Sequence, residues 1–260
     1  MTPPVALTIA GVDSSGGAGV TADLATFGAL GVWGTCAITA VTAQNSLGVD
    51  AIESMSADIV VAQIEAVCSD MSVAAIKTGM LGSAEITAIV AANLPAGIPV
   101  VVDPVMVATT GARLSDARGF EPLLERAMLV TPNAFEAAAL TGIEITDDDA
   151  MVQAARAILE YGAAGVLVKG GHVGQSGRTA RDCLIIQGQA GPVWLESERI
   201  DTLDTHGTGC VLSAAIAARL AHGDDLAEAC RRAKGFVTDA IHQRVKLGHG
   251  VGAVNPRGLA

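Results

Sequence analysis

The sequence predicts an α/β fold in which helices cover both faces of a mostly parallel central sheet. Short and almost wholly apolar runs recur along the chain, and stretches with helical spacing separate them. Continuous apolar strands are typical of parallel sheets that are buried on both faces. Their alternation with helices is the pattern of a three-layer α/β/α protein. No Pro/Ser-rich linker and no block of charge divides the 260 residues, so we expect one domain over residues 1–260.

The first half of the chain has the pattern of four strands separated by helices. The predicted strands are residues 5–10, 35–42, 74–77 and 100–103. The predicted helices are residues 20–30, 56–71 and 83–94. The second of these helices follows from Ser56, a favourable N-cap residue, and from Val60 and Ile64, which recur on one face.

The second half continues this alternation and then changes it. Two more buried strands are predicted at residues 128–130 and 165–169, with helices at 134–140 and 147–161 between them. Residues 181–186 and 192–195 resemble a late antiparallel hairpin. Two helices, at residues 209–220 and 226–243, close the predicted fold.

Composition argues against several classes of partner. The formal net charge of −11 disfavours binding to nucleic acid or to an anionic membrane, and it is compatible with a substrate that arrives bound to Mg²⁺. The five cysteines show neither close pairing nor C-x-x-C spacing, which indicates a reducing compartment. Residues 5–10 are too short for a signal sequence, and no apolar run reaches the roughly 18 residues of a membrane span. We therefore expect a cytoplasmic location.

The glycine-rich stretch at residues 204–213 is the strongest local motif. Glycines lead into a predicted helix, whose first turn carries unpaired N–H donors and a partial positive charge. This combination is typical of an anion-binding site. Cys210 lies in the same turn, where a helix N-terminus is expected to depress the pKa of a thiol. Taken alone, the motif is also compatible with an ordinary βα turn and a buried cysteine.

Two nucleotide-binding signatures give negative or weak results. The chain lacks the G-x-x-x-x-G-K-[ST] motif, which excludes a P-loop NTPase. Residues 17–22 fit the dinucleotide pattern G-x-G-x-x-A after a strand. However, the second strand ends in Gln44 and Asn45 rather than in the acid that would hold a ribose. A dehydrogenase is therefore weakened but stays open as an alternative.

Seven blocks together resemble one enzyme family. They lie at residues 11–19, 41–45, 77–81, 102–106, 131–136, 168–172 and 205–210. In order and in spacing they are similar to the hydroxymethylpyrimidine/phosphomethylpyrimidine kinases of thiamine biosynthesis, which have the ribokinase-like fold. The resemblance runs from about residue 5 to residue 250.

The resemblance implies an ATP- and Mg²⁺-dependent kinase. Such enzymes phosphorylate the hydroxymethyl group of 4-amino-5-hydroxymethyl-2-methylpyrimidine, then add a second phosphate, and relatives are commonly homodimers. It assigns Cys210 as the base and the N–H groups of Gly207, Thr208, Gly209 and Cys210 itself as the cradle of the transferring phosphoryl group. Because phosphoryl transfer has a loose transition state, positioning is expected to matter more than the thiol.

On the substrate side, the resemblance places Gln44 beside the pyrimidine. A Gln amide offers a donor and an acceptor, which complement the amino group and ring nitrogen of that substrate. The alternative is a strand-end Gln that is satisfied by backbone. The other expected pocket residues are Gly11, Asp13, Ser15 and Gly19 of the first loop, with Thr78 and Met80 as the floor.

On the phosphate side, the expected metal ligands are Asp103 and Glu136, whose oxygens suit Mg²⁺. Glu136 could instead complement a helix N-terminus. The expected ATP-binding residues are Asn133, Lys169, Thr205 and His206. Lys169 ends an apolar strand, where a charge is costly unless it meets an anion such as a phosphate.

Other positions are less determined. Relatives often carry a lysine where this chain has residues 108–111, so that one cation is missing or Arg113 supplies it. Asp23 either reaches the site from the first helix or is a solvated or dipole-paired acid. His172 receives no assignment.

Two rival functions stay open beside the dehydrogenase. Pyridoxal kinases share the fold and also act on an aromatic heterocycle with a hydroxymethyl group, but pyridoxal lacks the amino and ring-nitrogen pair. A non-catalytic pyrimidine-binding protein would have lost some of the proposed catalytic positions, and here all of them are filled.

Overall fold

The computed structural model describes residues 2–106, 119–171 and 178–259, except for the side chain of Leu259. Its strands are β1 (Val5–Asp13), β2 (Trp33–Gln44), β3 (Val49–Ser54), β4 (Val73–Thr78), β5 (Val100–Val102), β6 (Leu129–Val130), β7 (Gly165–Lys169), β8 (Thr179–Ile186) and β9 (Val193–Glu198). Its α-helices are α1 (Gly19–Ala29), α2 (Ala57–Asp70), α3 (Ala84–Asn93), α4 (Glu121–Leu124), α5 (Ala134–Thr141), α6 (Asp148–Leu159), α7 (Thr208–Ala221) and α8 (Leu226–His242).

All of these strands belong to one sheet, with the order β3-β2-β1-β4-β5-β6-β7-β8-β9. The six strands from β2 to β7 in that order pair in parallel. The edge strand β3 and the hairpin β8–β9 are antiparallel. The carboxyl ends of the parallel strands therefore lie along one edge, where open α/β sheets bind their ligands.

Adjacent residues of the central strands point to opposite faces of the sheet, and helices cover both faces. Ile76, Val102 and Val166 pack on the face covered by α2, α3 and α6. Their neighbours on these strands pack on the face covered by α1, α7 and α8. The continuous apolar runs in the sequence follow from this burial on both sides. The structure thus confirms the predicted three-layer α/β/α fold and its late hairpin.

Some elements differ from the prediction. The edge strand β3 was not expected, because five of its six residues are exposed and it has no apolar run. The one-turn helix α4 was also missed. Strand β2 continues to Gln44, because Ala43 and Gln44 pair with β3. Strand β1 continues past Gly11 to Asp13, because Val12 and Asp13 resume pairing with β2 after an irregularity in the register. The first-loop residues Gly11 and Asp13 therefore lie on a strand.

No helix in the described part of the chain combines the length and the apolar character that a membrane crossing needs.

Candidate active site

One cleft at the carboxyl edge of the sheet is lined by most of the residues for which the sequence predicts a catalytic, substrate-binding, ATP-binding or metal-binding role. These lining residues are Gly11, Asp13, Gly19, Gln44, Met80, Asp103, Asn133, Glu136, Lys169, Thr205, His206, Gly207, Thr208, Gly209 and Cys210. The cleft is also lined by residues without a predicted role, namely Val12, Ala18, Thr42, Lys77 and Val105. Separate strand ends and the entrance of α7 converge there, as the sheet topology requires.

The entrance of α7 presents open backbone donors. Gly207 is the N-cap with φ 83°, a conformation that favours glycine, and a Cβ there would lie 1.9 Å from the carbonyl oxygen of Gly17. The N–H of Thr208 donates to the carbonyl of Thr205 at 3.2 Å, which removes one expected phosphate donor. Within the described chain, the N–H groups of Gly207, Gly209 and Cys210 have no acceptor. These three donors form a site suited to an anion.

Asp13 is held by protein donors. Its carboxylate accepts from the N–H and hydroxyl of Ser15 at 2.8 and 2.7 Å, from the N–H of Ala18 at 3.0 Å and from His206 Nε2 at 2.8 Å. Burial raises the pKa of Asp13, but the hydrogen bonds from His206 and Ser15 outweigh this effect, so the pKa lies below 3.8. Asp13 lines the cleft as predicted, yet it orients the first loop and His206, and its acceptor positions are taken.

Gln44 is fixed through its backbone at the end of β2. The hydroxyl of Ser14 donates to its carbonyl and accepts from its N–H, both at 2.8 Å. Its side-chain amide lies 3.3 Å from Thr42 Oγ1 and 3.5 Å from His206 Nε2 and faces the cleft. The backbone does not consume the amide, which counts against the alternative interpretation of Gln44 as a merely satisfied strand-end residue.

Asp103, Glu136 and Lys169 form one buried charge cluster. Lys169 Nζ lies 2.9 Å from Asp103 Oδ1 and 3.7 Å from Glu136 Oε2. Burial lowers the pKa of Lys169, but the two carboxylates outweigh this effect and raise it. Lys169 therefore meets an anion, as expected, but the carboxylates of Asp103 and Glu136 supply it, and the assignment of Lys169 to an ATP phosphate stays a prediction.

The same cluster suits a divalent cation. The pKa of Glu136 is raised to about 7, because burial and the negative charge of Asp103 outweigh the lowering effects of Lys169 and of the hydrogen bond from the N–H of Asn133. When Glu136 is ionised, two carboxylates share a single ammonium group, which leaves one negative charge in the cluster without a counter-ion. Their hard oxygen atoms are the kind that Mg²⁺ prefers, and Mg²⁺ keeps several waters. Among the described residues, no group of three or more His, Cys, Asp or Glu side chains could enclose a metal directly.

Asn133 and Glu136 also form the start of α5. The Asn133 side chain accepts from the N–H of Glu136 at 2.9 Å, and Glu136 Oε2 accepts from the N–H of Asn133 at 2.7 Å. This is a capping box, which satisfies two N–H groups of the helix. The structural alternative for Glu136 is thus present beside its place in the charge cluster.

Lys77 and Asp23 are an ion pair that the sequence analysis did not identify. Both side chains are fully buried, and Lys77 Nζ lies 2.8 Å from Asp23 Oδ2, which also accepts from the hydroxyl of Thr8 at 2.6 Å. The idea of a solvated Asp23 is wrong, because the helix face that carries it is covered by the sheet. A lysine at the end of an apolar strand was the available signal, the same signal that singled out Lys169.

Cys210 is not the low-pKa thiol that the sequence predicts. Burial raises the pKa of Cys210 to about 11, although the positive charge of Lys77 and a hydrogen bond from the N–H of Gly19 lower it. Loss of water around the thiolate therefore outweighs the favourable field of the helix N-terminus. At neutral pH the group is mainly a thiol.

The remaining predicted site residues have different outcomes. Met80 lines the cleft, but Thr78 is fully buried in the interior and Ser15 acts on Asp13. Residues 108–111, Arg113 and His172 lie outside the described residues.

The chain is similar to known proteins along nearly its whole length. A family model described as phosphomethylpyrimidine kinase matches residues 13–255. The hydroxymethylpyrimidine/phosphomethylpyrimidine kinase of Rhizobium meliloti is 50% identical over 259 residues, which covers 96% of each chain.

Solved structures show the same fold. Bacillus subtilis pyridoxal kinase, in an ADP complex, has a TM-score of 0.88 and 37% identity, with 99% of both chains covered. Phosphomethylpyrimidine kinase from Clostridium difficile has a TM-score of 0.77 and 39% identity, with 92% of this chain and 99% of that chain covered. Because the family model matches almost the entire sequence and a curated relative is half identical to it, the chain belongs to the phosphomethylpyrimidine kinase family.

Proposed function

We propose that this protein transfers the terminal phosphoryl group of ATP to the hydroxymethyl group of 4-amino-5-hydroxymethyl-2-methylpyrimidine, and then to the resulting monophosphate, in thiamine biosynthesis. The observation that carries the proposal is the presence, in one cleft, of the open N–H donors of α7 and the amide of Gln44. The first can hold a phosphoryl group and the second can pair with an aminopyrimidine. Both the family and the name of the R. meliloti relative support this function.

Gln44 selects the substrate in this proposal. Its amide accepts from the pyrimidine amino group and donates to the neighbouring ring nitrogen. An analogue without that pair would cover the amide of Gln44 and leave the N–H and lone pair that face the ligand without partners, which is an effective way to reject it. Gly11, Gly19 and Met80 form the surrounding wall, and a Cβ at Gly11 would lie 2.3 Å from Met80 Cε.

Phosphoryl transfer takes place at the entrance of α7. The N–H groups of Gly207, Gly209 and Cys210 hold the oxygens of the terminal phosphate, with Lys169 beside them. A Cβ on Gly209 would lie 3.3 Å from Lys169 Nζ, which shows how near the ammonium is to this turn. The substrate hydroxyl forms a bond to phosphorus while the bond to the bridging oxygen of ADP breaks, and Cys210 as thiolate takes the hydroxyl proton. Thr205, His206 and Asn133 complete the wall around the phosphates.

Asp103 and Glu136 would hold Mg²⁺, largely through water. When bound, the ion neutralises phosphate charge. The chain's own contribution is the carboxylate pair, which lies against Lys169 and balances the positive charge of the ammonium.

Three further assignments belong to this proposal. We propose that residues 1–260 form one kinase domain, since a single sheet runs through the described chain. The free state of all five cysteines supports a cytoplasmic location. A homodimer is supported by exposed apolar side chains near the edge strand β3, where Val41, Leu47 and Ile52 are 44%, 67% and 42% exposed.

Pyridoxal kinase is the second candidate, because the B. subtilis structure of that name has the same fold over the full chain. Coupled assays of ADP release with each substrate, repeated for Gln44→Ala, separate the two functions. We expect a preference for the aminopyrimidine that Gln44→Ala reduces by about a hundredfold or more, since a two-bond contact is lost. A preference for pyridoxal, unaffected by the substitution, would overturn the proposal, and absence of turnover with both would indicate a non-catalytic binding protein.

A further inference from the structure

The side chain of Gln44 lies between two polar groups, one of which can only donate a hydrogen bond to it and one of which can only accept a hydrogen bond from it. The structure places Gln44 Nε2 3.5 Å from His206 Nε2 and Gln44 Oε1 3.3 Å from Thr42 Oγ1. The oxygen and nitrogen of a carboxamide are told apart by their hydrogen-bond partners, because the two atoms are nearly the same size. The partners of His206 and Thr42 therefore determine which end of the amide is which.

His206 can offer only a donor on this side. Its Nε2 lies 2.8 Å from Asp13 Oδ2, and an ionised carboxylate only accepts hydrogen bonds. Asp13 is ionised because donors from Ser15 and Ala18 surround it. Nε2 must therefore carry a proton, and a protonated ring nitrogen has no lone pair for an amide N–H. Because Asp13 holds the one hydrogen on Nε2, an amide N–H facing His206 would meet a second N–H and no lone pair, whereas a carbonyl oxygen there can share that hydrogen as a weak second acceptor.

Thr42 independently requires the same orientation. Its hydroxyl has one hydrogen, and it lies 2.9 Å from the carbonyl oxygen of Val12, which can only accept. With the hydrogen committed there, Thr42 Oγ1 offers a lone pair to Gln44, which calls for the amide nitrogen. When the amide is turned by 180°, its nitrogen donates to Thr42 Oγ1 and its oxygen lies beside the Nε2–H of His206, which removes the conflict between two N–H groups.

We propose that the Asp13–His206 pair and Thr42 set the polarity of the Gln44 amide, and that this polarity sets which way round the pyrimidine binds. The inference rests on the proposed function. After the contacts to His206 and Thr42, one lone pair and one hydrogen of the amide are left for the ligand. The substrate amino group then lies on the His206 side, and the ring nitrogen lies on the Thr42 side.

This orientation directs the reacting group. In the substrate, the carbon bearing the amino group lies between the ring nitrogen and the carbon bearing the hydroxymethyl group. An amino group next to His206 therefore turns the hydroxymethyl group toward the side where the chain continues into Gly207 and α7. The opposite amide polarity would turn it away from these donors. His206 and Thr42 are thus positioning residues, which act through Gln44.

The test compares two threonines of the same strand. Thr42→Val removes the lone pair that holds the amide nitrogen. Thr35→Val is the matched control, since Thr35 also donates to a carbonyl of β1, that of Ala6 at 3.0 Å, and it does not line the cleft. The substrates are the aminopyrimidine and its 4-oxo analogue, whose ring N–H and carbonyl present the reverse donor and acceptor order.

We expect the wild type and Thr35→Val to prefer the aminopyrimidine equally, measured as the ratio of kcat/KM values. Thr42→Val should lower that preference about tenfold, the equivalent of one net hydrogen bond, because the amide can then turn to fit the analogue. Thr42→Ser keeps the hydroxyl and should restore the wild-type ratio. An unchanged ratio in a folded Thr42→Val protein would overturn the polarity proposal. No turnover of the aminopyrimidine by the wild type would overturn the proposed function instead.

A crystal structure of the wild type with the aminopyrimidine decides the question even if Thr42→Val does not fold. We expect the exocyclic amino nitrogen nearer to His206 Nε2 than to Thr42 Oγ1. The reverse placement would overturn the proposal.

Discussion

At the scale of single residues, several buried polar and charged side chains in and beside the cleft are held by a specific partner. Lys77 pairs with Asp23, His206 with Asp13, and Lys169 with Asp103. Buried charges require such partners because burial in a medium of low polarity is costly. The pairs also keep the groups in defined positions before a ligand arrives, which favours phosphoryl transfer.

The thiol of Cys210 gives a prediction about pH. Since burial raises its pKa to about 11, the thiolate fraction is small at pH 7. As long as the pH is well below the pKa, this fraction rises about tenfold for each unit by which the pH increases. If the thiolate takes the substrate proton, kcat should rise with pH between 7 and 9. Replacement by Cys210→Ala should remove the slope and lower kcat about a hundredfold at pH 9. A wild-type profile that is flat over this range would show that Cys210 is not the base.

The Lys77–Asp23 pair gives a prediction about stability. Lys77→Met leaves the carboxylate of Asp23 without its cation in the interior, so we expect a loss of about 3–5 kcal/mol in the free energy of unfolding. The double variant Asp23→Leu with Lys77→Met should recover most of it, because no buried charge is then unpaired. Urea unfolding of both variants and the wild type measures the difference. A single variant as stable as the wild type would contradict the account.

At the scale of elements, the entrance of α7 depends on one glycine. Gly207 has φ 83°, and its backbone passes against the carbonyl of Gly17, so any side chain strains the turn and collides with the first loop. The strands β1 and β2, with their shifted register, bring Asp13 and Gln44 to the same place. The site is thus an outcome of backbone geometry at three strand and helix ends.

A glycine substitution tests this dependence. Gly207→Ala should abolish turnover, and strain alone should cost about 1–3 kcal/mol in stability. Cys210→Ser should retain measurable turnover, since positioning outweighs the proton acceptor. The control is Gly235→Ala in α8, an exposed helical position with open space around the added methyl, which should gain about 0.5–1 kcal/mol. Turnover assays measure the activity of each variant, and thermal unfolding measures its stability. If Gly207→Ala were as active as Cys210→Ser, turnover would not depend on the backbone geometry of Gly207.

The sequence predicts the helices and strands better than it predicts which side chains contact each other. Apolar runs and helical spacing predict β4, β5, β7 and most helices, because burial on both faces leaves a clear pattern. The edge strand β3 is not predicted, since it pairs on one side only and is mostly exposed, so that its sequence has no apolar run. Lys77 and Asp23 are 54 positions apart, and no local pattern joins them. The local sequence around Cys210 also predicts the wrong direction for the shift of its pKa, because burial by other elements of the fold controls that pKa.

At the scale of the whole molecule, the β3 edge of the sheet is exposed and carries apolar side chains. Strand β3 ends the sheet, and the side chains of Val41, Leu47 and Ile52 around it are exposed. Natural edge strands usually carry protection against pairing, whereas apolar surface of this kind marks contact sites.

The proposed homodimer can be tested at this edge. Ile52→Arg places a charge on the exposed face of β3, where burial against a second copy would be costly. Sedimentation equilibrium should show a dimer for the wild type and a shift toward monomer for the variant. Phe135→Arg is a control at another exposed apolar position, 61% exposed at the start of α5, and should leave the mass unchanged. Equal masses for Ile52→Arg and the wild type would contradict an interface at this edge.

The central claim is that the open amides at the start of α7 receive the phosphate that is transferred to the pyrimidine alcohol. The most direct measurement is a crystal structure with the aminopyrimidine and a non-hydrolysable ATP analogue. We predict that oxygens of the terminal phosphate lie within hydrogen-bond distance of the N–H groups of Gly207, Gly209 and Cys210, and that the substrate hydroxyl faces the phosphorus. A terminal phosphate bound away from this turn would contradict the account.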